Sequence, residues 1–187
     1  MATENSLREE MGICLVRLRN SRVSIRRAIQ TDAVTISVLI RRNADAVLSA
    51  DYTLEQLNAW KQYNTPAHIR QRLRERETFC AVDSRQICGT IALQENELVG
   101  LYVSPRWRAR GIGRILLEHL EMFAAKQGMT KLHLTSTPSA VEFYRHYGWK
   151  RRRKIVLNIG GIEFEETLMT KDLAQTKLKC RVSHTNM

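Results

Sequence analysis

No stretch of the sequence has about 18 consecutive apolar residues, the length that a membrane-spanning helix requires. The opening segment MATENSLREEMGICLVRLRN carries acidic side chains and has no apolar core followed by a small-residue cleavage site. We therefore expect neither membrane insertion nor secretion, and we expect a cytoplasmic location.

Cysteine is scarce, and its spacing fits neither metal nor disulfide chemistry. The chain has four cysteines: Cys14, Cys80, Cys88 and Cys180. They form no Cys-x-x-Cys pair and have no histidine at ligand spacing, so we expect no metal site and no disulfide framework. Cys80 and Cys88 flank an expected turn, so they either face each other across a hairpin or, as we favour, act as small buried apolar residues.

Acidic side chains are outnumbered, with 19 Asp and Glu against 30 Lys and Arg and a formal net charge of +11. Such an excess suits nucleic-acid binding, because clustered cations release counterions from phosphates. The excess is concentrated at residues 106–114, at residues 150–154 and in the KLKCR tail. No helix-turn-helix, zinc-finger or RNA-binding aromatic motif accompanies it. We therefore favour solvated basic faces and one small anionic ligand.

The composition, 43% apolar and 26% charged, is typical of a globular domain. We place that domain at residues 23–171, between an N-terminal extension at 1–22 and a C-terminal tail at 172–187. The apolar periodicity indicates a strand, helices, three strands, a helix, a strand, a helix and two strands. This order predicts an α+β fold with a mixed, mostly antiparallel central sheet of about seven strands flanked by helices.

Capping residues mark where the helices begin. Thr31-Asp32 offers N-caps for a helix that continues to about residue 50, Thr53 with Gln56 has the pattern of a capping box, and Thr65-Pro66 precedes HIRQRLRER. The β-rich runs within residues 77–103 are separated by short turns, which predicts an antiparallel meander.

The stretch RWRARGIGRILL follows an expected strand and opens an expected amphipathic helix at residues 113–127. It contains the pattern Arg108-x-x-Gly111-x-Gly113. Glycines at a helix start let backbone N–H groups approach an anion, and the helix dipole and nearby arginines favour negative charge there. The third glycine of a dinucleotide fingerprint and the Gly-Lys-Ser/Thr of a P-loop are both missing, so we expect a phosphate ester of another kind.

Two segments together resemble the GNAT superfamily of acyl-CoA-dependent N-acetyltransferases. LYVSPRWRARGIGRILLEHLEMFA is similar to the acyl-CoA-binding motif of that superfamily, and AVEFYRHYGWK is similar to its FY-x-x-x-G-F/W segment. The resemblance covers roughly residues 23–171 and implies a GNAT-like fold with acetyl-CoA as co-substrate.

The resemblance also implies where acetyl-CoA binds. The pyrophosphate would lie on main-chain N–H groups of Arg108, Ala109, Arg110, Gly111, Ile112, Gly113 and Arg114. The pantetheine arm would pair with the backbone of Leu101, Tyr102 and Val103, and an N–H group near Val103 would polarise the thioester carbonyl.

Two residues are candidates for proton transfer. The resemblance implies that Tyr144 is the general acid that protonates the CoA thiolate, unless it only packs beneath the cofactor. Glu97 occupies the position of the glutamate base found in some members; the alternatives are a hairpin-end carboxylate without a catalytic role, or an ordered water relay. Tyr52, Trp60 and Tyr63 lie in the helical segment that often walls the acceptor pocket, although core packing is the interpretation we favour for Trp60.

These observations predict an N-acetyltransferase that moves an acetyl group from acetyl-CoA to a primary amine of a small molecule by direct attack in a ternary complex. The alternative is a basic nucleic-acid-binding or CoA-sensing module on the same fold without transfer activity. We expect no membrane partner, and the sequence leaves open whether the protein forms a homodimer.

Overall fold

The computed structural model describes residues 14–18 and 21–173. Within these ranges the strands are β1 (Cys14–Leu18), β2 (Ser21–Arg27), β3 (Glu77–Asp83), β4 (Gln86–Gln94), β5 (Glu97–Val103), β6 (Lys131–Ser136), β7 (Lys150–Ile159) and β8 (Ile162–Asp172). The α-helices are α1 (Ala33–Ala46), α2 (Leu54–Tyr63), α3 (Pro66–Glu75), α4 (Ile112–Lys126) and α5 (Val141–His146). Nearly all of the predicted tail, including the KLKCR charges and Cys180, lies outside the described residues.

The eight described strands form one sheet in the order β1-β2-β3-β4-β5-β6-β8-β7. Neighbours run antiparallel, except that β5 and β6 run parallel. This confirms the expected α+β class, the mixed sheet and the antiparallel meander. The sheet has one strand more than the expected seven, because β1 lies in the segment assigned to the N-terminal extension and pairs with β2.

The caps of α2 and α3 are those that the sequence predicts. The Thr53 hydroxyl accepts a hydrogen bond from the Gln56 N–H, and the Gln56 side chain accepts one from the Thr53 N–H, so both halves of the capping box are present. The Thr65 hydroxyl accepts from the His68 N–H, with Pro66 as the first residue of α3. These local signals fix the helical layer that covers one face of the sheet.

The first helix differs from the prediction at both ends. Asp32 occupies the N-cap position of α1, as predicted, but its side chain makes no capping bond to the helix. Its carboxylate instead accepts from the Ile29 N–H at 2.8 Å and from the Arg26 guanidinium at 2.7 Å, next to the 3-10 turn that precedes the helix. The helix ends at Ala46, because Val47 leaves helical geometry with φ of −128°, and a separate 3-10 turn follows.

The two faces of the sheet carry separate cores. Helix α4 packs on one face with the buried side chains Leu116, Leu117 and Leu120, while α1, α2 and α3 cover the other face. No α-helix in the described residues is both long and apolar enough to span a membrane.

Cys80 and Cys88 lie in different cores and do not face each other. Cys88 belongs to the core beneath α4, and Cys80 belongs to the core beneath α1 and α3. Burial raises the pKa of the Cys80 thiol to about 12 and that of the Cys88 thiol to about 11. The hairpin-facing alternative is therefore wrong, and the interpretation as small buried residues is confirmed.

A buried ion pair fixes α4 to the far side of the sheet. The Lys171 ammonium on β8 donates to both carboxylate oxygens of Glu121, at 2.7 and 2.6 Å, and to the Tyr147 carbonyl oxygen at 2.7 Å. The Trp149 indole N–H donates to the same carboxylate at 2.9 Å. Because the charges are paired and hydrogen-bonded, this polar cluster can lie inside the core.

Candidate active site

The candidate site lies where the two parallel strands move apart. Strands β5 and β6 share one pairing, Glu97 opposite His133, at which the His133 N–H donates to the Asn96 carbonyl oxygen over 3.0 Å. No further pairing between described residues joins the two strands. The rest of β5 therefore has a free edge on this side.

A bulge in β5 lies next to this free edge. Ile91 of β4 stands opposite two residues of β5, Gly100 and Leu101. Gly100 has φ of +71°, a left-handed conformation that strains a residue with a Cβ atom, and such an atom would lie 3.2 Å from the Tyr102 ring. Since a bulge bends its strand, it contributes to the parting of β5 from β6.

The main-chain groups at the end of β5 point in alternate directions. The Ser104 N–H donates to the Cys88 carbonyl oxygen of β4 at 2.8 Å. Because successive residues of a strand alternate, the main-chain groups of Leu101 and Val103 point away from β4, toward the free edge. The Val103 carbonyl oxygen accepts from the Asn43 side chain of α1 at 2.9 Å. The Val103 N–H remains for a ligand.

The turn between β5 and α4 gathers N–H groups around a concave backbone. Ala109 has φ of +58° and Gly111, the N-cap of α4, has φ of +85°. Such left-handed residues between right-handed or extended ones turn successive N–H groups toward a common point, which is an anion-binding arrangement. The turn therefore has the backbone geometry that the glycine pattern predicts.

The first turn of α4 adds more N–H groups to the same place. The first intrahelical bond joins the Ile115 N–H to the Gly111 carbonyl oxygen at 3.1 Å, so the N–H groups of the preceding helical residues lack an intrahelical acceptor. A Cβ atom at Gly113 would lie 3.3 Å from Cζ of Phe143. Glycine there therefore lets the start of α4 lie close to the Phe143 ring of α5.

The arginines around this turn differ in what their side chains contact. Arg108 is exposed and lines the cleft, whereas the Arg110 guanidinium lies 5.0 Å from the centre of the Trp107 ring. The Arg114 side chain is bonded to Glu118 at 2.8 Å. The turn carries positive charge, but its closest approach to an anion is through the backbone.

A cleft of about 990 Å³ joins this turn to the helical layer, and Tyr144 of α5 lies in its wall. Tyr144 is 7% exposed and packs edge-on against the rings of Phe143 and Trp149, with centroids 5.2 and 6.0 Å away. Burial, with a smaller effect of the Glu166 charge, raises the pKa of Tyr144 above that of a free phenol. Its hydroxyl is therefore protonated at neutral pH.

Two carboxylates face the cleft near the point where β5 and β6 part. Glu97 Oε2 lies 3.8 Å from His133 Nε2. Glu166 of β8 is 4% exposed and accepts a hydrogen bond from the Tyr52 hydroxyl at 3.3 Å. Burial raises the pKa of Glu166, while hydrogen bonds from Thr135 and Tyr52 oppose the rise. Among the described residues, no group of three metal-ligating side chains can hold a metal ion.

The structure brings most of the sequence-predicted site residues to one cleft. Those that line it are Glu97, Leu101, Tyr102, Val103, Arg108, Ala109, Gly111, Ile112, Gly113, Arg114 and Tyr144. Arg110 is the exception, because its side chain lies over Trp107 outside the cleft.

Sequence reasoning missed the importance of Glu166 and of the Tyr102 side chain. Glu166 is not among the residues that the sequence analysis names as site candidates. The signal was present in the alternation of β8, where Phe164 and Glu166 both point inward and Glu165 between them is exposed. A glutamate in phase with buried residues of a strand is a candidate for a site.

The basic run at residues 150–154 lies away from the cleft. All of its side chains are exposed, they belong to the outermost strand β7, and none lines the cleft. In the described part of the chain, the two basic clusters that the sequence shows therefore lie in separate places, one at the turn before α4 and the other at a sheet edge.

Comparison with known proteins agrees with this geometry. Residues 48–171 match the profile of the family described as "Acetyltransferase (GNAT) domain". The chain therefore belongs to the GNAT acetyltransferase family, as the two motifs predict.

The relatives include one with a stated acceptor. The chain is similar to the peptidyl-lysine N-acetyltransferase YjaB of Escherichia coli (strain K12), at 29% identity over 132 residues, which cover 68% of this chain and 82% of that protein.

Solved structures share the fold. A GCN5-related N-acetyltransferase from Rhodopseudomonas palustris superposes with a TM-score of 0.78 at 24% identity, over 84% of this chain and 98% of that chain. The PaiA N-acetyltransferase of Thermoplasma acidophilum in complex with coenzyme A gives 0.70 at 20% identity, over 80% and 98%.

The environment of Glu166 leads to a stability prediction. Burial raises the pKa of this carboxyl above its unfolded value, so its contribution to stability is lost as pH rises through the folded pKa. Glu166→Gln is neutral at every pH and should stabilise the protein at about pH 8 by roughly 0.5–2 kcal/mol, with a smaller gain near about pH 5. Denaturant unfolding at the two pH values measures this.

The matched control is Glu165→Gln on the same strand, where the carboxylate is exposed. It should change the free energy of unfolding by less than about 0.5 kcal/mol at either pH. Equal effects of the two substitutions would contradict the role of burial.

Proposed function

We propose that this protein transfers the acetyl group of acetyl-CoA to a primary amine of a small molecule, by direct attack while both substrates are bound. The observation that carries this proposal is the combination of the N–H-rich turn before α4, the free edge of β5, and the Tyr144 hydroxyl in one cleft. These three features would face three parts of acetyl-CoA. The turn would face the diphosphate, the free edge of β5 the amide-containing arm, and the Tyr144 hydroxyl the thioester.

The backbone at residues 108–114 would hold the pyrophosphate of acetyl-CoA. Its left-handed residues Ala109 and Gly111, the free N–H groups of α4 and the nearby arginine charges suit a diphosphate better than a neutral ligand. The main-chain groups of Leu101 and the N–H of Val103, which lie at the free edge of β5, suit the amides of the pantetheine arm, which would extend the sheet by a strand-like segment.

The Val103 N–H is the donor we assign to the thioester carbonyl oxygen. As the amine nitrogen forms its bond to the carbonyl carbon, negative charge develops on that oxygen, and a fixed N–H donor stabilises it. The adjacent Val103 carbonyl is held by Asn43, so the donor is preorganised rather than recruited during the reaction.

Tyr144 would supply the proton that the departing sulfur needs when the carbon–sulfur bond breaks. Its raised pKa keeps the hydroxyl protonated until the thiolate appears. Because the same rise makes the phenol a weaker acid, the transfer depends on the thiolate forming directly beside the hydroxyl. The packing of its ring against Phe143 and Trp149 restricts the direction of the hydroxyl.

Glu97 would accept the proton that an incoming ammonium group loses before it attacks. Its carboxylate lies beside His133 at the point where β5 and β6 part, with Glu166 on the same face. The Glu166 carboxylate is more buried, so we assign it to the electrostatic environment of the amine and assign proton acceptance to Glu97.

Two alternatives, one to the proposed acceptor and one to the proposed activity, are each supported by a specific observation. The relative from Escherichia coli is named for peptidyl-lysine, so a lysine side chain of a protein is the alternative acceptor. The exposed run at residues 150–154 is the basis for a nucleic-acid-binding module. Binding to nucleic acid with steep salt dependence, unaffected by acetyl-CoA, would favour that module, whereas acetyl-CoA-dependent thermal stabilisation and release of CoA with amines would favour the enzyme.

Gly111→Glu tests the diphosphate site. It places bulk and negative charge where the phosphates would lie and should weaken acetyl-CoA binding by roughly 100-fold or more, equivalent to about 2.7 kcal/mol. Calorimetric titration of the folded variant with acetyl-CoA provides the measurement.

The control for this substitution is Gly128→Glu at the opposite end of α4. Gly128 has φ of +82°, close to the +85° of Gly111, so the backbone strain is matched, while the added charge lies away from the turn. Unchanged affinity in Gly111→Glu, or equal loss in both variants, would reject the assignment.

Tyr144→Phe separates catalysis from packing. The ring contacts are retained and only the hydroxyl is lost, so kcat should fall by roughly 100-fold while the Kd for acetyl-CoA changes by less than about 2-fold. Initial rates of CoA release and calorimetric binding report the two quantities. Parallel loss of rate and affinity would indicate that Tyr144 acts by packing.

Glu97→Gln tests the proton acceptor. The substitution should lower kcat/KM by roughly 100-fold near neutral pH, and the deficit should shrink above about pH 9, where more of the amine is already unprotonated. The control is Glu95→Gln, which removes an exposed carboxylate two residues away. A pH–rate profile with the same shape as that of the unsubstituted enzyme would assign proton removal to water.

A further inference from the structure

Two buried side-chain donors in the described part of the chain have no hydrogen-bond partner, and both line the same cleft. They are the indole Nε1 of Trp60 on α2 and the guanidinium Nε of Arg76, which follows the last residue of α3. Folded proteins pair nearly all such groups, so an unpaired buried donor requires a reason. Because both groups are donors, the missing partner is a hydrogen-bond acceptor.

Two guanidinium groups share this wall of the cleft without a carboxylate. Arg72 donates to the Asn64 side-chain oxygen at 2.9 Å and to the Tyr63 carbonyl oxygen at 2.7 Å, and it lies 3.9 Å from the centre of the Tyr63 ring. Neither Arg72 nor Arg76 forms an ion pair with a described residue. Burial lowers the pKa of Arg72, and the positive charge of Arg76 adds to the lowering.

Two exposed arginines show that pairing with a carboxylate occurs on this protein even where solvent could replace the partner. The Arg114 guanidinium is bonded to Glu118 at 2.8 Å, and the side chain of Arg145 is bonded to that of Glu142 at 2.9 Å, although all of these side chains are substantially exposed. Arg72 and Arg76, by contrast, are half-buried and have no carboxylate partner among the described residues, so their positive charge is partly desolvated and uncompensated. A bound anion would compensate it.

The arginine pair lies on the acceptor side of the cleft. Arg72 and Arg76 come from α3 and its end, in the helical layer, whereas the turn before α4 is the diphosphate site proposed above. Between the two stands Tyr102, whose pKa is raised by burial and, to a smaller extent, by the charges of Glu166 and Tyr144, while the positive charges of Arg72 and Arg76 oppose the rise. Tyr102 therefore lies near the proposed reacting groups on one side and near the arginine pair on the other.

We propose that the acceptor is a small amino acid-like molecule whose carboxylate binds Arg76 and the Trp60 indole N–H, with Arg72 beside them, while its amine lies at Glu97 and Glu166. This inference rests on the proposed transfer to an amine and adds the chemical class of the acceptor. The cleft supplies carboxylates for an ammonium group and donors for a carboxylate, in separate places.

This arrangement also gives the cleft its selectivity. A polyamine would place a second cation against Arg72 and Arg76, where like charges repel. An amide in place of the carboxylate keeps the size of the acceptor but presents one neutral oxygen to two charged groups. A site built for a hydrogen-bonded anion rejects such analogues because its own donors are then left unpaired.

The test uses the full-length protein with acetyl-CoA and acceptors in matched pairs. Each pair consists of an amino acid and its amide, taken from α-amino acids and from ω-amino acids with chains of increasing length. Release of CoA gives kcat/KM for each acceptor. For the chain length that fits, the acid should exceed its amide by about 10-fold or more.

Substitutions then test whether this preference for the acid depends on Arg76 and on the Trp60 indole N–H. Arg76→Gln should abolish the preference for the acid, chiefly by raising KM for the acids, so that kcat/KM becomes equal for the acid and the amide of each pair, while affinity for acetyl-CoA stays within about 2-fold. Trp60→Phe, which removes only the N–H donor, should reduce the preference by a smaller factor. Arg74→Gln is the matched control, since Arg74 lies on the same helix, is exposed and does not line the cleft.

Equal kcat/KM for every acid and its amide, or an acid preference that survives Arg76→Gln, would overturn the inference while leaving the transferase proposal standing. As a further part of the test, kcat/KM is measured for a peptide in which lysine stands beside glutamate, and for the same peptide with glutamine in place of the glutamate. Higher kcat/KM for that peptide than for every free amino acid would overturn the small-molecule assignment.

Calorimetric titration of the protein with amino acids, in the presence of CoA, separates the two proposals. If no amine causes release of CoA, the transferase proposal fails. The carboxylate site then still stands if amino acids bind in an Arg76-dependent manner and amides do not. Absent or equal binding overturns it.

Discussion

The site depends on the loss of backbone pairing between β5 and β6 after one shared position. A central strand of a sheet normally has its N–H and C=O groups satisfied on both sides, and an unsatisfied group inside a protein is costly. Here the bulge at Gly100 and the parting of the strands leave main-chain groups of Leu101 and Val103 directed into a cleft. The fold therefore contains an unfilled strand position, and the elements around that gap provide the remaining groups of the site.

The charges around the gap are separated by position. Backbone N–H groups and arginines surround the turn before α4, carboxylates face the point where the strands part, and a second pair of arginines lies on the helical layer. Tyr144 and Glu166 are 7% and 4% exposed, and this burial raises the pKa values of both groups. In such surroundings each fixed charge acts more strongly on a bound molecule than it would in water.

The parts of the site that the sequence predicts are those with local causes. A left-handed Gly111, the capping residues Thr53 and Thr65, and alternating strands are specified by residues close together in the chain, so their positions were correct. The contacts between Glu166 and Tyr52, and the approach of Arg76 to the cleft, depend on the order of strands in the sheet. Tyr52 and Glu166 are 114 residues apart in the chain, and no short sequence pattern marks either contact. Strand β1 was missed for the same reason, since only its pairing with β2 makes it a strand.

The exposed basic run of residues 150–154 lies on β7, which ends the described sheet. An end strand presents unpaired backbone groups to any other strand that approaches, and clustered like charges on such a strand discourage sheet-to-sheet aggregation. Two molecules that approach through this border bring ten cationic side chains together, five from each copy. We therefore expect the basic residues that suggest nucleic-acid binding to disfavour edge-to-edge pairing of two copies through β7 as well.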